Sequence, residues 1–144
     1  SQMIDDDCVI ILVGLNDQQI TKLPPRIIGI KRTSDLNELV ELYTAADVFV
    51  NPTLEDNFPT VNLEALACGT PIITFNTGGS PEAVGEGCGY VSEIGNIGDV
   101  KEFIDQVKIH GKDAYSEQCI GRIKKHFDKK DRFEEYLELY NQLK

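Results

Sequence analysis

A chain of 144 residues with a hydrophobic fraction of 41% fits one domain with a real core and leaves little room for a second. Its 14 basic and 24 acidic residues give a formal charge of −10, a field that repels nucleic acid and anionic membrane surfaces, so any anionic ligand must be held by local geometry. Cys8, Cys68, Cys88 and Cys119 lie too far apart for CxxC or Cys/His ligand spacing, which predicts buried or partly buried thiols of a reducing compartment and no metal site.

The N-terminal stretch "SQMIDDDCVIILVG" has neither a basic leader nor a small-residue cleavage site, and no apolar run in the chain approaches a membrane span. It opens almost directly into a strand, so the sequence reads as a piece of a longer protein with "SQM" as a cloning remnant. The acids Asp5, Asp6 and Asp7 read as solvated charge at a frayed start rather than a metal site. Short β-branched runs then recur at "CVIILVG" (8–14), "RIIGI" (26–30), "DVFVNP" (47–52), "PIITF" (71–75) and, weakly, "GYVS" (89–92), each of strand length and composition. Between the second and third, "SDLNELVELYTAAD" predicts a helix with Ser34 or Asp35 as N-cap, a capping box from Asp35 to Glu38, and a stripe of Leu36, Leu39, Val40 and Tyr43. Strands alternating with helices predict an α/β fold whose parallel sheet is covered on both faces.

Past residue 98 the pattern is helical throughout. Val100, Phe103, Ile104 and Val107 make one stripe, Tyr115, Cys119 and Ile123 a second, and Phe133, Tyr136, Leu137, Tyr140 and Leu143 a third. These C-terminal helices are expected to pack on the sheet. Lys124, Lys125, Lys129 and Lys130 read as a solvated helix face, and "GEGCG" (85–89) reads as a turn because no strand precedes it. His110 and His126 have no partners at metal or catalytic spacing.

The chemistry concentrates in "NPTLEDNFPTVNLEALACGTPII" (51–73). Residues 53–58 follow a strand and so leave the carboxyl edge of a parallel sheet, where open α/β proteins bind ligands. Asn57 is expected to cap a helix starting near Phe58 to Thr60, and Pro59 falls in the first turn, where its missing N–H costs nothing. The free N–H groups there make an anion site. Every residue of "VNLEALAC" except Asn62 and Glu64 is apolar, which predicts a helix buried on most sides and a half-buried Glu64 in need of donors. Glu64 shares a helix face with Thr60 and Val61. A nucleotide diphosphate at the helix end could therefore place ribose hydroxyls on Glu64, with Asp56 accepting from sugar hydroxyls across the phosphates. Physics alone leaves a second reading open: a capped structural helix with a salt-bridged Glu64 and a loop aspartate.

Taken whole, "LYTAADVFVNPTLEDNFPTVNLEALACGTPIITFNTGGSPEAV", with the later "GYVSEIGN", resembles the C-terminal half of retaining, GT-B type glycosyltransferases of the group 1 family. The resemblance runs from about Val9 to the last helix, "FEEYLELYNQLK". Members carry two acids separated by seven positions and then A-hydrophobic-A-C-G-T-P, a pattern that Asp56 and Glu64 fit. By this resemblance Glu64 binds the ribose, the backbone of Asn57, Phe58, Pro59, Thr60 and Val61 meets the phosphates and sugar, and Asp56 holds the donor sugar. The family usually has Glu at the first position, and Glu55 stands one residue too early, so the choice between Asp56 and Glu55 stays open. "TGGSPEAV" (77–84) resembles the family's glycine-rich turn, in which Gly78 and Gly79 let the backbone approach the ligand; they would serve equally in a tight turn after a strand. "IKRTS" (30–34) lies where the family places its nucleotide base, which makes Lys31 and Arg32 candidates.

The implied protein has a Rossmann-like parallel sheet and acts as the donor-binding half of a cytoplasmic sugar transferase, in bacterial polysaccharide or glycolipid synthesis. Its partners are a nucleotide-diphosphate sugar and an N-terminal acceptor-binding domain, with peripheral membrane association through that domain. The preceding βα unit, with its diphosphate-binding Arg and Lys, is absent from these residues. No metal or other cofactor is implied. The alternative is a non-catalytic nucleotide or sugar-phosphate binding module.

Overall fold

The computed structural model describes residues 5–143; the "SQM" stretch, read above as a cloning remnant, lies outside them. The chain folds as two compact units, residues 1–42 and 43–144.

In the first unit β1 (Ile10–Val13) and β2 (Ile27–Ile30) pair in parallel, Ile10 opposite Ile27 and Val13 opposite Ile30. The connection contains a four-residue helix, α1 (Asp17–Ile20), which hydropathy did not reveal. Its capping box is complete: Asn16 accepts from the Gln19 amide at 2.9 Å and Gln19 accepts from the Asn16 amide at 2.8 Å, the reciprocal arrangement that satisfies two amides at a helix start. Asp6, one of the three N-terminal acids, pairs with Arg26 at 2.7 Å. Helix α2 (Leu36–Ala45) starts as its sequence predicts. Asp35 accepts from the Glu38 amide at 3.0 Å, and the Ser34 amide and hydroxyl donate to Glu38 at 2.6 and 2.8 Å. These donors hold the Glu38 carboxyl below its ordinary range. The boundary between the units falls within α2, between Leu42 and Tyr43.

The second unit is built on a three-stranded parallel sheet in the order β3 (Phe49–Asn51), β4 (Ile72–Phe75), β5 (Gly89–Ser92). Phe49 lies opposite Ile72, and Ile72 opposite Gly89. Among the described residues the strands thus hydrogen-bond as two parallel sheets rather than one. All four residues of the central strand β4 are buried, as expected of a parallel strand covered on both faces. Helix α3 (Thr60–Ala67) connects β3 to β4, and the short α4 (Ser80–Ala83) follows β4. Helix α5 (Ile97–His110) covers the sheet through Phe103 and Val107, which cluster with Ile73 and are flanked by Val48, Val100 and Tyr115. Helix α6 (Asp113–His126) packs on α3. Its Cys119 is fully buried, and the thiol donates to the Cys88 carbonyl at 3.7 Å.

Helix α7 (Lys129–Gln142) departs from expectation. The predicted stripe forms, yet none of its residues is buried, and Phe133, Tyr136, Leu137 and Tyr140 are each more than half exposed. Periodicity reports only that a helix has an apolar side; burial requires something to lie on it. Lys124, Lys125, Lys129 and Lys130 are exposed, as predicted. Cys68, Cys88 and Cys119 are free thiols, Cys88 and Cys119 buried and Cys68 partly so, as is Cys8. Among the described residues no helix is long and apolar enough to cross a membrane.

Candidate functional site

The loop between β3 and α3 is shaped by its own side chains. Asp56 Oδ1 accepts from the Phe58 amide at 3.0 Å, an Asx turn that bends the chain back toward the helix. Thr53 Oγ1 donates to the Glu55 carbonyl at 3.2 Å. Asp56 is half-buried and its side chain is engaged in this turn, whereas Glu55 is exposed. The two candidate acids are therefore distinguished by order: Asp56 belongs to the loop's framework.

The helix start differs in detail from expectation. Asn57 is not the cap; Pro59 occupies that position with φ −73° and ψ 104°, and no side chain bonds to the first turn. The Asx turn of Asp56 consumes the Phe58 amide, which shifts the entry to the helix two residues past Asn57. The Asn62 amide bonds to the Pro59 carbonyl at 3.1 Å. Thr60 and Val61, the first two helical residues, have amides with no intrahelical acceptor, and both side chains are exposed.

Nor is α3 buried on most sides. Asn62, Ala65 and Leu66 form its buried face, while Thr60, Val61 and Glu64 are exposed. Spacings of three and four residues place these three on one open face. Glu64 is consequently exposed rather than half-buried, and the buried polar residue of this apolar helix is Asn62. Its Oδ1 accepts from Asn51 Nδ2 at 2.9 Å, and Thr74 Oγ1 donates to the Asn51 carbonyl at 3.0 Å, so polar side chains tie α3 to the ends of β3 and β4. The Asn62 Nδ2 and Ser80 Oγ atoms are buried without a partner.

Glu64 does have a donor. The Tyr43 hydroxyl, from the last turn of α2, donates to Glu64 Oε2 at 3.1 Å. Tyr43 is buried, and its ring meets Phe49 edge-on with centroids 5.3 Å apart. Burial, reinforced by the neighbouring Glu64 charge, raises the phenol far above its ordinary pKa, so it remains a donor at all physiological pH values. Sequence reading assigned Tyr43 only to a hydrophobic stripe. The single available signal was a hydroxyl at one edge of that stripe, with nothing to indicate a carboxylate 21 residues later.

Gly78 and Gly79 approach backbone, and that backbone is the acidic loop. A Cβ on Gly78 (φ +51°) would stand 1.9 Å from the Asp56 carbonyl oxygen, and one on Gly79 would stand 2.1 Å from that of Asn57. The Gly79 amide donates to the Asp56 carbonyl at 3.3 Å, and Thr77 Oγ1 donates to the Leu54 carbonyl at 3.0 Å. The glycine turn is thus a clamp on residues 54–57. On the other side, the Phe58 ring rests against Phe127, 6.1 Å between centroids, and Arg122 lies 5.5 Å from the Phe127 ring centre.

Asp56, Asn57, Phe58, Pro59, Thr60, Val61, Glu64, Gly78 and Gly79 all belong to the second unit. Lys31 and Arg32 belong to the first, directly after β2, where both are exposed and Lys31 pairs with Asp17 at 2.6 Å.

The profile of the family described as "Glycosyl transferases group 1" matches residues 5–126, and the chain belongs to that family. The D-inositol 3-phosphate glycosyltransferase of Mycolicibacterium smegmatis is 35% identical over 96 residues, covering 66% of this chain and 20% of that protein. The alpha-maltose-1-phosphate synthase of the same organism is 33% identical over 70 residues, covering 49% of this chain and 18% of that protein. Among solved structures, Anabaena HepE in complex with UDP matches with a TM-score of 0.77 at 24% identity, over 93% of this chain and 41% of that one. A glycosyltransferase from Rickettsia africae matches with a TM-score of 0.78 at 21% identity, over 94% and 40%. These likenesses bear out the GT-B type fold. The chain spans about a fifth of the length of the curated relatives it matches.

Proposed function

We propose that this chain is the donor-binding half of a retaining glycosyltransferase that moves a sugar from a nucleotide-sugar to an acceptor. The observation that carries the reading is the open face of α3, where the exposed Thr60, Val61 and Glu64 follow directly on the clamped loop of Asp56. The amides of Thr60 and Val61 are suited to a diphosphate, because first-turn N–H groups and the helix dipole both favour an anion. In this reading Glu64, one turn along the same face, accepts from ribose hydroxyls, and Asp56 from hydroxyls of the donor sugar. That HepE is described with UDP and with UDP-glucose supports a nucleotide-sugar as the class of ligand.

In this reading the acceptor hydroxyl attacks from the face that the nucleotide leaves, through an oxocarbenium-like state. Negative charge then grows on the departing diphosphate, and preorganised amides stabilise it without reorganising. The reading invokes no metal. Acceptor binding and turnover belong to the longer protein, so the 144 residues by themselves bind donor without transferring sugar.

The test is calorimetric titration with UDP and UDP-glucose. Glu64→Gln keeps shape and removes charge, and should weaken binding of both ligands by about 1.5–3 kcal/mol, the range for a hydrogen bond to a charged group. Asp56→Asn should spare UDP and weaken UDP-glucose. Unchanged affinity for both ligands in both variants would refute the site.

A further inference from the structure

We infer that Tyr43 is a positioning residue of the nucleotide site, its hydroxyl fixing the Glu64 carboxylate in the orientation that receives the ribose hydroxyls of a nucleoside diphosphate. The inference rests on the assignment of Glu64 to the ribose. It goes beyond that assignment in naming what holds the carboxylate still.

The two partners differ in exactness of placement. Glu64 lies on the open face of α3, and its side chain is exposed. Tyr43 is 8% exposed and is held at three points. Its ring stands edge-on to Phe49, its carbonyl accepts from Thr70 Oγ1 at 2.5 Å, and the Lys112 ammonium bonds to the adjoining Thr44 carbonyl at 2.6 Å and to that of Tyr43 at 3.4 Å. Thr70 follows the end of α3, and Lys112 immediately precedes α6. The end of α2 is therefore pinned to the turn that terminates the helix carrying Glu64, which fixes the Tyr43 hydroxyl relative to that helix.

A tyrosine serving only its own burial needs any acceptor or water at its tip. Here it takes an exposed carboxylate, which could otherwise be hydrated. An ionised carboxylate has about four acceptor positions; the phenol occupies one, leaving capacity for a vicinal pair of hydroxyls. Holding a long side chain before the ligand arrives removes the ordering cost from the binding step. The raised pKa of the phenol keeps the donor in place wherever Glu64 is ionised.

The experiment is a titration of the full chain, as wild type, Tyr43→Phe, Glu64→Gln and the double variant, with UDP and with its 2′,3′-dideoxyribose analogue. Tyr43→Phe should weaken UDP about five- to tenfold, within the ordering cost of one long side chain on binding, and change the dideoxy analogue less than about twofold. In the Glu64→Gln background the same substitution should cost less than about twofold for either ligand. Equal losses for UDP and the analogue, or a full loss in that background, would make Tyr43 a merely structural residue and overturn the inference. Retention of the preference for UDP over the analogue in Glu64→Gln would instead overturn the ribose assignment itself, and this inference with it. Should Tyr43→Phe unfold, the wild-type chain labelled with ¹³Cζ-tyrosine decides. The Tyr43 resonance, assigned by elimination with Tyr90→Phe, Tyr115→Phe, Tyr136→Phe and Tyr140→Phe, should shift with UDP and stay still with the analogue; the same response to both ligands overturns the inference.

Discussion

Gly78→Ala gives the sharpest test of how the acidic loop is held. Two costs are separable. At φ +51° an alanine pays for the left-handed backbone region, about 1–2 kcal/mol. Its Cβ also falls 1.9 Å from the Asp56 carbonyl oxygen and 2.9 Å from the carbonyl carbon. Backbone lies on both sides of this contact, so no flexible side chain can give way. For a normal separation between nonbonded atoms, the loop must retreat by roughly 1 Å or more. That movement strains the Gly79–Asp56 and Thr77–Leu54 hydrogen bonds, each contributing about 0.5–1.5 kcal/mol. A total loss of about 2–4 kcal/mol in urea or thermal unfolding is expected. Gly95→Ala separates the strain from the clash, because Gly95 has φ +79° and nothing within 4 Å of an added Cβ; it should cost only about 1–2 kcal/mol. The functional consequence should separate the variants further. Misplacing a positioning group by about 1 Å can cost 10²-fold in rate, so Gly78→Ala should cut transfer by the intact protein by about that factor and weaken UDP-glucose measurably, while Gly95→Ala leaves UDP-glucose affinity unchanged. Equal stability losses in the two variants, with UDP-glucose affinity retained in both, would refute the clamp.

Leu66 is wholly buried in α3 and Leu137 on α7 is 63% exposed; Leu66→Ala should cost about 2–5 kcal/mol and Leu137→Ala less than about 0.5 kcal/mol by chemical denaturation, and comparable losses would mean that α7 is covered. Burial, with Cys88 beside it, pushes the Cys119 thiol up to about 12, and burial likewise raises the Tyr43 phenol. Both groups bind their protons more tightly in the folded state, so their contribution to stability is complete below the unfolded pKa values, about 8.5 and 10, and is lost as pH rises through the folded values. The melting temperature should therefore fall steadily above about pH 8.5, with Cys119→Ala flattening the earlier part of the decline and Tyr43→Phe the later part; an unchanged slope in both variants would contradict this. Thiol labelling of the native chain near neutral pH should reach Cys8 and Cys68 before Cys88 and Cys119, because reactivity follows access and thiolate fraction.

Much of the fold was legible in the sequence because its signals are local. Each β-branched run became a strand to within about two residues, all in parallel ladders, and the Ser34–Asp35–Glu38 signature set the start of α2 through bonds made within five residues. The short helices α1 and α4 escaped because four residues carry no readable period. The acidic pair and its spacing were also visible in the sequence, and within α3 the helix period fixes that Thr60, Val61 and Glu64 share a face. Which face was open was not visible. Composition made α3 look buried on most sides, and only the packing of Asn62, Ala65 and Leu66 left Glu64 on the outside. The same limit applies to α7, whose apolar stripe is evident in sequence and exposed in the structure. What tertiary structure alone decided were the long-range partners: Tyr43 on Glu64, Asn51 on Asn62, and the Gly78–Gly79 turn against Asp56 and Asn57. Each joins residues 11 or more positions apart. Propensity, capping and periodicity act over a few residues, whereas these contacts depend on where whole strands and helices come to rest.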